Sequence, residues 1–142
     1  MSTPLRVIRT ESAPAPVAGA PYSQAIVADP GALVFVSGQV PVNPATGRLV
    51  ADDIAVQTRQ ALANVAGVLA GAGQTLANVV KSTVFLTDLG GDFAAMNAVY
   101  AEVFGEYAPA RSTIGVAALP LGARVEIEVV ARAGATLGAT SR

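Results

Sequence analysis

The sequence predicts an α+β domain, a mixed six-stranded sheet with two helices packed on one of its faces. Three observations carry that expectation. Six segments alternate apolar and polar residues or run apolar over a strand's length. Two further segments repeat apolar residues at helical spacing. The order strand, strand, strand, helix, strand, helix, strand, strand places helices between strands late in the chain, which implies a mixed sheet covered on one face.

The elements follow in order. Leu5 to Arg9 alternates and reads as a short first strand, and Ala13 to Pro21 is a Pro/Ala/Gly-rich extended connector. Ala25 to Ala28 is a second strand, turned by Asp29-Pro30-Gly31. Leu33 to Gly38 is a strong third strand. In Gln39 to Pro44 two prolines oppose regular structure, and Thr46-Gly47 closes that loop. A helix starts with Asp52 as N-cap and buries Ile54, Thr58, Ala61, Leu62, Val65 and Leu69, with Gly71 and Gly73 ending it. Its Gly67/Gly71 pair reads as close packing. Val79 to Thr87 is a strand. Asp92 caps a second helix, whose inner stripe is Phe93, Met96, Tyr100, Val103 and Phe104, and Gly105 stops it.

Two alternating arms complete the sheet, Pro109 to Val116 and Arg124 to Val129, joined through Leu119-Pro120-Leu121-Gly122. The Pro-x-Gly connection predicts an antiparallel hairpin. Matching the two apolar faces sets Ser112, Ile114 and Val116 with Val125, Ile127 and Val129. Arg111 and Thr113 then share the other side with Glu126 and Glu128.

The chain of 142 residues is expected to form one domain over 1–142, with residues 1–4 and 133–142 fraying. It is 52% hydrophobic and only 13% charged, against roughly 25% charged in an average soluble protein. No apolar run approaches the ~20 residues of a spanning helix, so no membrane partner is expected. The sheet face without helices, expected to carry Val79, Phe85, Leu33 or Phe35, predicts burial against copies of the same chain. A net charge of -1 with scattered Lys and Arg gives no footprint for nucleic acid. No signal-peptide core stands at the N-terminus, so the expected location is the cytoplasm. There is no Cys and no His, which excludes thiolate nucleophiles, zinc–thiolate sites and imidazole bases. Chemistry must come from carboxylates, Arg, Tyr, hydroxyls, backbone or water.

Pro21-Tyr22-Ser23-Gln24, Val36 to Pro44, Pro109-Ala110-Arg111-Ser112 and Val125-Glu126-Ile127-Glu128 resemble signatures of the RidA/YjgF/UK114 family. The similarity runs from about Leu5 to Arg132. It implies a chorismate-mutase-like (YjgF-like) fold and a homotrimer with sites between subunits. The implied reaction is hydrolysis of reactive 2-enamine and 2-imino acids to 2-oxo acids and ammonia, without a cofactor. The family also carries the label endoribonuclease L-PSP. By that resemblance Arg111 matches the arginine that holds the substrate carboxylate, and Glu126 the glutamate that helps position the attacking water. Tyr22, Ser37 and Asn97 match pocket-lining residues, and backbone groups of Gly38 and Thr113 complete the pocket.

Two departures from the best-known members stand out. Thr113 replaces a Cys, and Gly105-Glu106-Tyr107-Ala108 is shorter and lacks a Phe beside Pro109. From the residues alone, Arg111 opposite Glu126 or Glu128 reads first as an interface ion pair, and the resemblance turns the reading toward a ligand. Glu128 and Lys81 keep structural readings, and Asn97 reads as a satisfied buried amide. The alternatives are a carboxylate-metabolite binder without turnover, a pathway-specific deaminase for a larger imino acid and, last, an RNA-cleaving protein.

Overall fold

A computed structural model describes residues 5–106 and 108–135 of the chain. The expected six strands and two helices are all present. They are β1 (Arg6–Ile8), β2 (Ala25–Val27), β3 (Leu33–Gln39), α1 (Ile54–Gly71), β6 (Val79–Leu86), α2 (Leu89–Phe104), β7 (Ala110–Gly115) and β8 (Val125–Arg132). Between β3 and α1, where two prolines predicted irregular chain, a small hairpin forms from β4 (Val42–Asn43) and β5 (Arg48–Leu49). Gly47, at φ 72°, makes its turn.

The predicted hairpin of the last two strands does not form. The central sheet runs β3-β8-β6-β7, so β6 lies between β7 and β8. β7 is parallel to β6, with α2 as the crossover between them, while β8 is antiparallel to both β6 and β3. The two arms therefore do run in opposite directions, but not as neighbours. The antiparallel β1–β2 pair joins the β7 edge through the single bridge Ser23–Ala110, supported by Ser23 Oγ donating to the Ala108 carbonyl at 2.6 Å.

Both helices cover one face. Ala61, Leu62, Val65 and Leu69 of α1 and Met96, Val99 and Tyr100 of α2 pack on Val84, Leu86, Val125, Ile127 and Val129. The other face carries Leu33, Phe35 and Ile114, which are 50%, 73% and 45% exposed. Val79, expected there, is fully buried in the helix-side core, because the pairing with β8 slips between Val79 and Lys81 and turns it inward. Residues 133–135, expected to fray, are held: the Ala133 N–H donates to the Ala32 carbonyl, and Ala135 is buried against Leu5. Residues 1–4 and 136–142 lie outside the described residues.

Both predicted N-caps shift. Asp53, not Asp52, caps α1 by accepting from the Val56 N–H at 2.9 Å, and Asp88, not Asp92, caps α2 by accepting from Gly91. Asp52 and Asp92 both face Arg124 instead. Its guanidinium pairs with buried Asp92 at 2.8 Å and reaches Asp52 at 3.5 Å. These bonds hold the Arg124 guanidinium above its ordinary pKa, with the Asp92 hydrogen bond as the largest cause. At the far end of α1, Gly73 at φ 72° donates to Ala70 and Gln74 donates to Leu69, the paired bonds of a Schellman ending. Gly105, at φ 70°, stops α2 as expected.

Candidate active site

β7 starts beside β6, and Arg111 is the Cα partner of Ser82. Ser82 points into the helix-side core, so Arg111 does too, and only 8% of it is exposed. Its guanidinium carbon lies 4.8 Å from the Tyr100 ring centre, 5.3 Å from Tyr22 and 5.9 Å from Phe93. Nη1 faces the Met96 sulfur at 3.9 Å, and Nε has no hydrogen-bond partner. Among the described residues no carboxylate pairs with it.

That is an uncommon place for a charge. A cation over a ring contributes about 0.5–2 kcal/mol, whereas withdrawing an ion from water costs several. The three rings offset part of that cost and leave the guanidinium short of an anion. Burial lowers its proton affinity, and Tyr100 and then Tyr22 counter that effect.

Two of the rings are tethered. The Tyr100 hydroxyl and Ser82 Oγ are 2.6 Å apart, and the Tyr22 hydroxyl accepts from the Val17 N–H at 3.0 Å. Burial pushes the Tyr100 phenol well above its ordinary range, against the pull of Ser82 and Arg111, so it stays neutral.

A 320 Å³ pocket opens beside the guanidinium, lined by Val17, Tyr22, Phe93, Arg111, Ser112 and Thr113. Thr113 Oγ1 is buried there without a hydrogen-bond partner. Asn97 stands one turn beyond Phe93 on α2 and one turn before Tyr100, on their side of the helix. Its Oδ1 is likewise buried and unpartnered, where a satisfied amide was expected. Arg111, Tyr22 and Thr113 are thus gathered, with Asn97 on the adjoining helix face.

The remaining expected residues lie elsewhere. Glu126 is the Cα partner of Phe85, and Phe85 points to the face without helices. The expectation that Arg111 and Thr113 share a side with Glu126 and Glu128 is therefore incorrect. Ser37 is exposed on that same outer face, next to Phe35 and one residue short of Gly38. Gly38 has a specific reason to lack a side chain: a Cβ there would collide with the Glu126 carboxylate, which lies over its backbone. Lys81, also on this face, donates to Ser112 Oγ at 2.9 Å, and Glu128 is exposed. One chain therefore carries Arg111 and Glu126 on opposite faces of one sheet.

Phe93, Met96 and Tyr100 were legible as an apolar helical stripe but not as an arginine cage. The signal available was a tyrosine within that stripe. A larger cavity of 520 Å³ lies against the connection after α2 and shares Tyr22 with the arginine pocket. Its charged residues Arg9, Glu11 and Glu106 are all exposed. Among the described residues no cluster of acidic side chains is placed to hold a metal ion, and no helix is long and apolar enough to cross a membrane.

Fold and cage together define a two-layer α+β protein whose buried guanidinium opens on a small pocket. Comparison with known proteins places it within that class. Residues 10–133 match the model of the family described as Endoribonuclease L-PSP. The chain belongs to this family, the RidA/YjgF family that its motifs resemble, and has its fold. It is 50% identical over 125 residues to a RutC family protein of Pyrococcus horikoshii, covering 88% of this chain and 95% of that one. It is 45% identical to a protein of Capra hircus named 2-iminobutanoate/2-iminopropanoate deaminase, covering 91% and 90%. Among solved structures, E. coli TdcF with bound serine matches with a TM-score of 0.68 at 42% identity, over 89% of this chain and 98% of that chain.

Proposed function

We propose that this protein hydrolyses reactive 2-imino and 2-enamino acids, of the 2-aminoacrylate, 2-iminopropanoate and 2-iminobutanoate type, to 2-oxo acids and ammonia. The observation that carries this reading is the buried Arg111 guanidinium, without an acidic partner among the described residues, at the wall of a 320 Å³ pocket. A planar guanidinium receives a carboxylate through two parallel charge-assisted hydrogen bonds. That anion supplies the charge that the aromatic cage lacks. The names of relatives such as the Capra hircus deaminase support the substrate class.

The chemistry suits a chain without Cys or His. A protonated imine beside a carboxylate is electrophilic, and water adds to its carbon without a covalent enzyme intermediate. The carbinolamine so formed expels ammonia and leaves the 2-oxo acid, so one water is consumed for each ammonia released. Arg111 fixes the imine carbon, and Glu126 orients the water, accepts its proton and returns it to the nitrogen that leaves as ammonia. Positioning of this kind contributes several kcal/mol, and a carboxylate base about 10²–10⁴-fold. The reading invokes no cofactor.

Within one chain Glu126 and Arg111 occupy opposite faces, so a complete site takes Arg111, Tyr22, Asn97 and Thr113 from one subunit and Glu126, Ser37 and Gly38 from another. The exposed Leu33, Phe35 and Ile114 supply an apolar surface for that association, and a cytoplasmic homotrimer is the assembly proposed. The decisive experiment generates 2-aminoacrylate with a serine or threonine dehydratase and follows ammonia release. Acceleration that Arg111→Ala abolishes supports the reading, and none from the wild type overturns it.

The same separation favours one second reading. A lone chain holds the carboxylate clamp without the base, as a carboxylate-binding module would. Thermal stabilisation by 2-oxobutanoate with no effect on imine decay would select it.

A further inference from the structure

The cage around Arg111 raises the question of what keeps the guanidinium aimed at its pocket. Among the described residues its hydrogen bonds do not: Nε has no partner, and Nη1 meets a thioether, a weak acceptor. The nearest of the three rings is Tyr100 at 4.8 Å, with no exposed surface. That ring is fixed at both ends. It is tilted against Phe104 with centroids 4.5 Å apart, and its hydroxyl is bonded to Ser82 Oγ at 2.6 Å. Ser82 is itself the Cα partner of Arg111 on the adjacent strand. Backbone, hydroxyl, ring and guanidinium therefore close a circuit: β7 sets Arg111, β6 sets Ser82, Ser82 sets Tyr100, and the Tyr100 ring sets the guanidinium.

We infer that Tyr100 and Ser82 are positioning residues for carboxylate capture, acting through Arg111 and touching no reacting atom. This deepens the deaminase reading and rests on it for its kinetic arm. Burial keeps the Tyr100 phenol neutral, so it steadies the guanidinium without becoming a competing anion. An arginine aimed by a ring retains both edges of its fork for the ligand, whereas one aimed by a carboxylate would already be occupied.

The arrangement makes a specific kinetic demand. Arg111 holds the carboxylate in the bound substrate as well as in the transition state, so loosening it raises KM, and any fall in kcat from lost positioning accompanies that rise. Tyr100→Phe keeps the ring and removes the tether, and Ser82→Ala removes its other end. Each should raise KM about fivefold, the effect of one net hydrogen bond. The double variant should be no worse than either single variant, since both act through one bond. Thr58→Ala deletes a different buried hydroxyl, bonded to the Ile54 carbonyl on α1, and should lower Tm while leaving KM unchanged.

Calorimetric titration with 2-oxobutanoate, an inert carboxylate, gives the second readout. Dissociation constants should weaken about fivefold in Tyr100→Phe and in Ser82→Ala, with the non-additivity seen in KM. Unchanged KM and unchanged affinity in both folded variants overturn the inference, as does a fall in kcat alone. If the wild type binds 2-oxobutanoate but hydrolyses no imine, the deaminase reading fails and the titration still decides the positioning role. A wild type that binds no carboxylate overturns both.

Discussion

Arg111 pairs with Ser82 and Glu126 pairs with Phe85, and Ser82 and Phe85 lie an odd number of residues apart on β6. Side chains alternate along a strand, so the guanidinium and the carboxylate project from opposite faces of one sheet. The two groups do not face one another within a chain.

Subunit mixing tests this directly. If the proposed trimer forms, Arg111→Ala and Glu126→Gln proteins should each have kcat/KM reduced by about 10²-fold or more. Mixed through a denaturation and refolding step, the two inactive proteins should regain activity. A mixed trimer pairs an intact Arg111 from one subunit with an intact Glu126 from its neighbour. No recovery in verified heterotrimers would place both residues in the same site of one chain.

Removing the buried charge separates stability from function. Arg111→Met fills similar volume with an apolar side chain and relieves the desolvation that the cage only partly offsets. Its Tm should equal or exceed that of the wild type, while 2-oxobutanoate affinity is lost. Arg111→Lys should restore little affinity, since an ammonium lacks the planar fork. Differential scanning fluorimetry with and without ligand reads both effects.

Gly38→Ala probes the other half-site. The new Cβ would meet the end of the Glu126 side chain, which can swing away at little cost to the fold. The expected result is a Tm within a few degrees of the wild type and a kcat about tenfold lower or worse, from a misplaced carboxylate. A large loss of stability with normal kcat would contradict that geometry.

On the sheet face without helices, Phe35 is 73% exposed and lies in the row between Leu33 and Ser37. Phe35→Glu should lower the mass measured by light scattering to that of a monomer and abolish turnover, with the far-UV circular dichroism of the wild type retained. A trimeric mass in this variant would assign the association to another surface.

Tyr100 gives the stability curve an alkaline edge. Its folded pKa is raised above the ordinary 10.0 by burial, so the folded state keeps a proton that the unfolded chain releases. The stabilisation is fully present below about pH 10 and declines as pH rises above that value toward the folded pKa. Tm measured from pH 8 to 11.5 should fall more steeply at the top of that range in the wild type than in Tyr100→Phe.

How far the sequence could be read depended on what each pattern physically constrains. Apolar residues at helical spacing require one buried stripe, and both helices appear with those stripes inward. Gly105 could end α2 because its φ of 70° suits glycine. Strand alternation marks a strand without naming its neighbour, so the turn between β7 and β8 gave the reversal but not the inserted β6. Face matching failed for a related reason. Both faces of this sheet are partly apolar, so Ile114 could join Phe35 outside as readily as Ile127 inside. The caps were misplaced because two acids stand near each helix start, and the sequence does not show which one takes the non-helical backbone of a cap, here Asp53 and Asp88. Arg111 itself was legible, but its cage was not, since a ring packed in a core and a ring under a guanidinium leave the same periodic trace.

The β7 strand also has an unequal hold on its two sides. Its inner edge is laddered to β6 over six residue pairs, while among the described residues its outer edge is bridged at Ser23–Ala110, by the segment just before β2. Amide hydrogen exchange should follow that asymmetry, slowest in β6 and β8, which are enclosed by strands on both sides, and faster in β7. Arg111 therefore rides on the less enclosed strand, so if its pocket takes a carboxylate, filling it should slow deuterium uptake along β7 before it does so anywhere else.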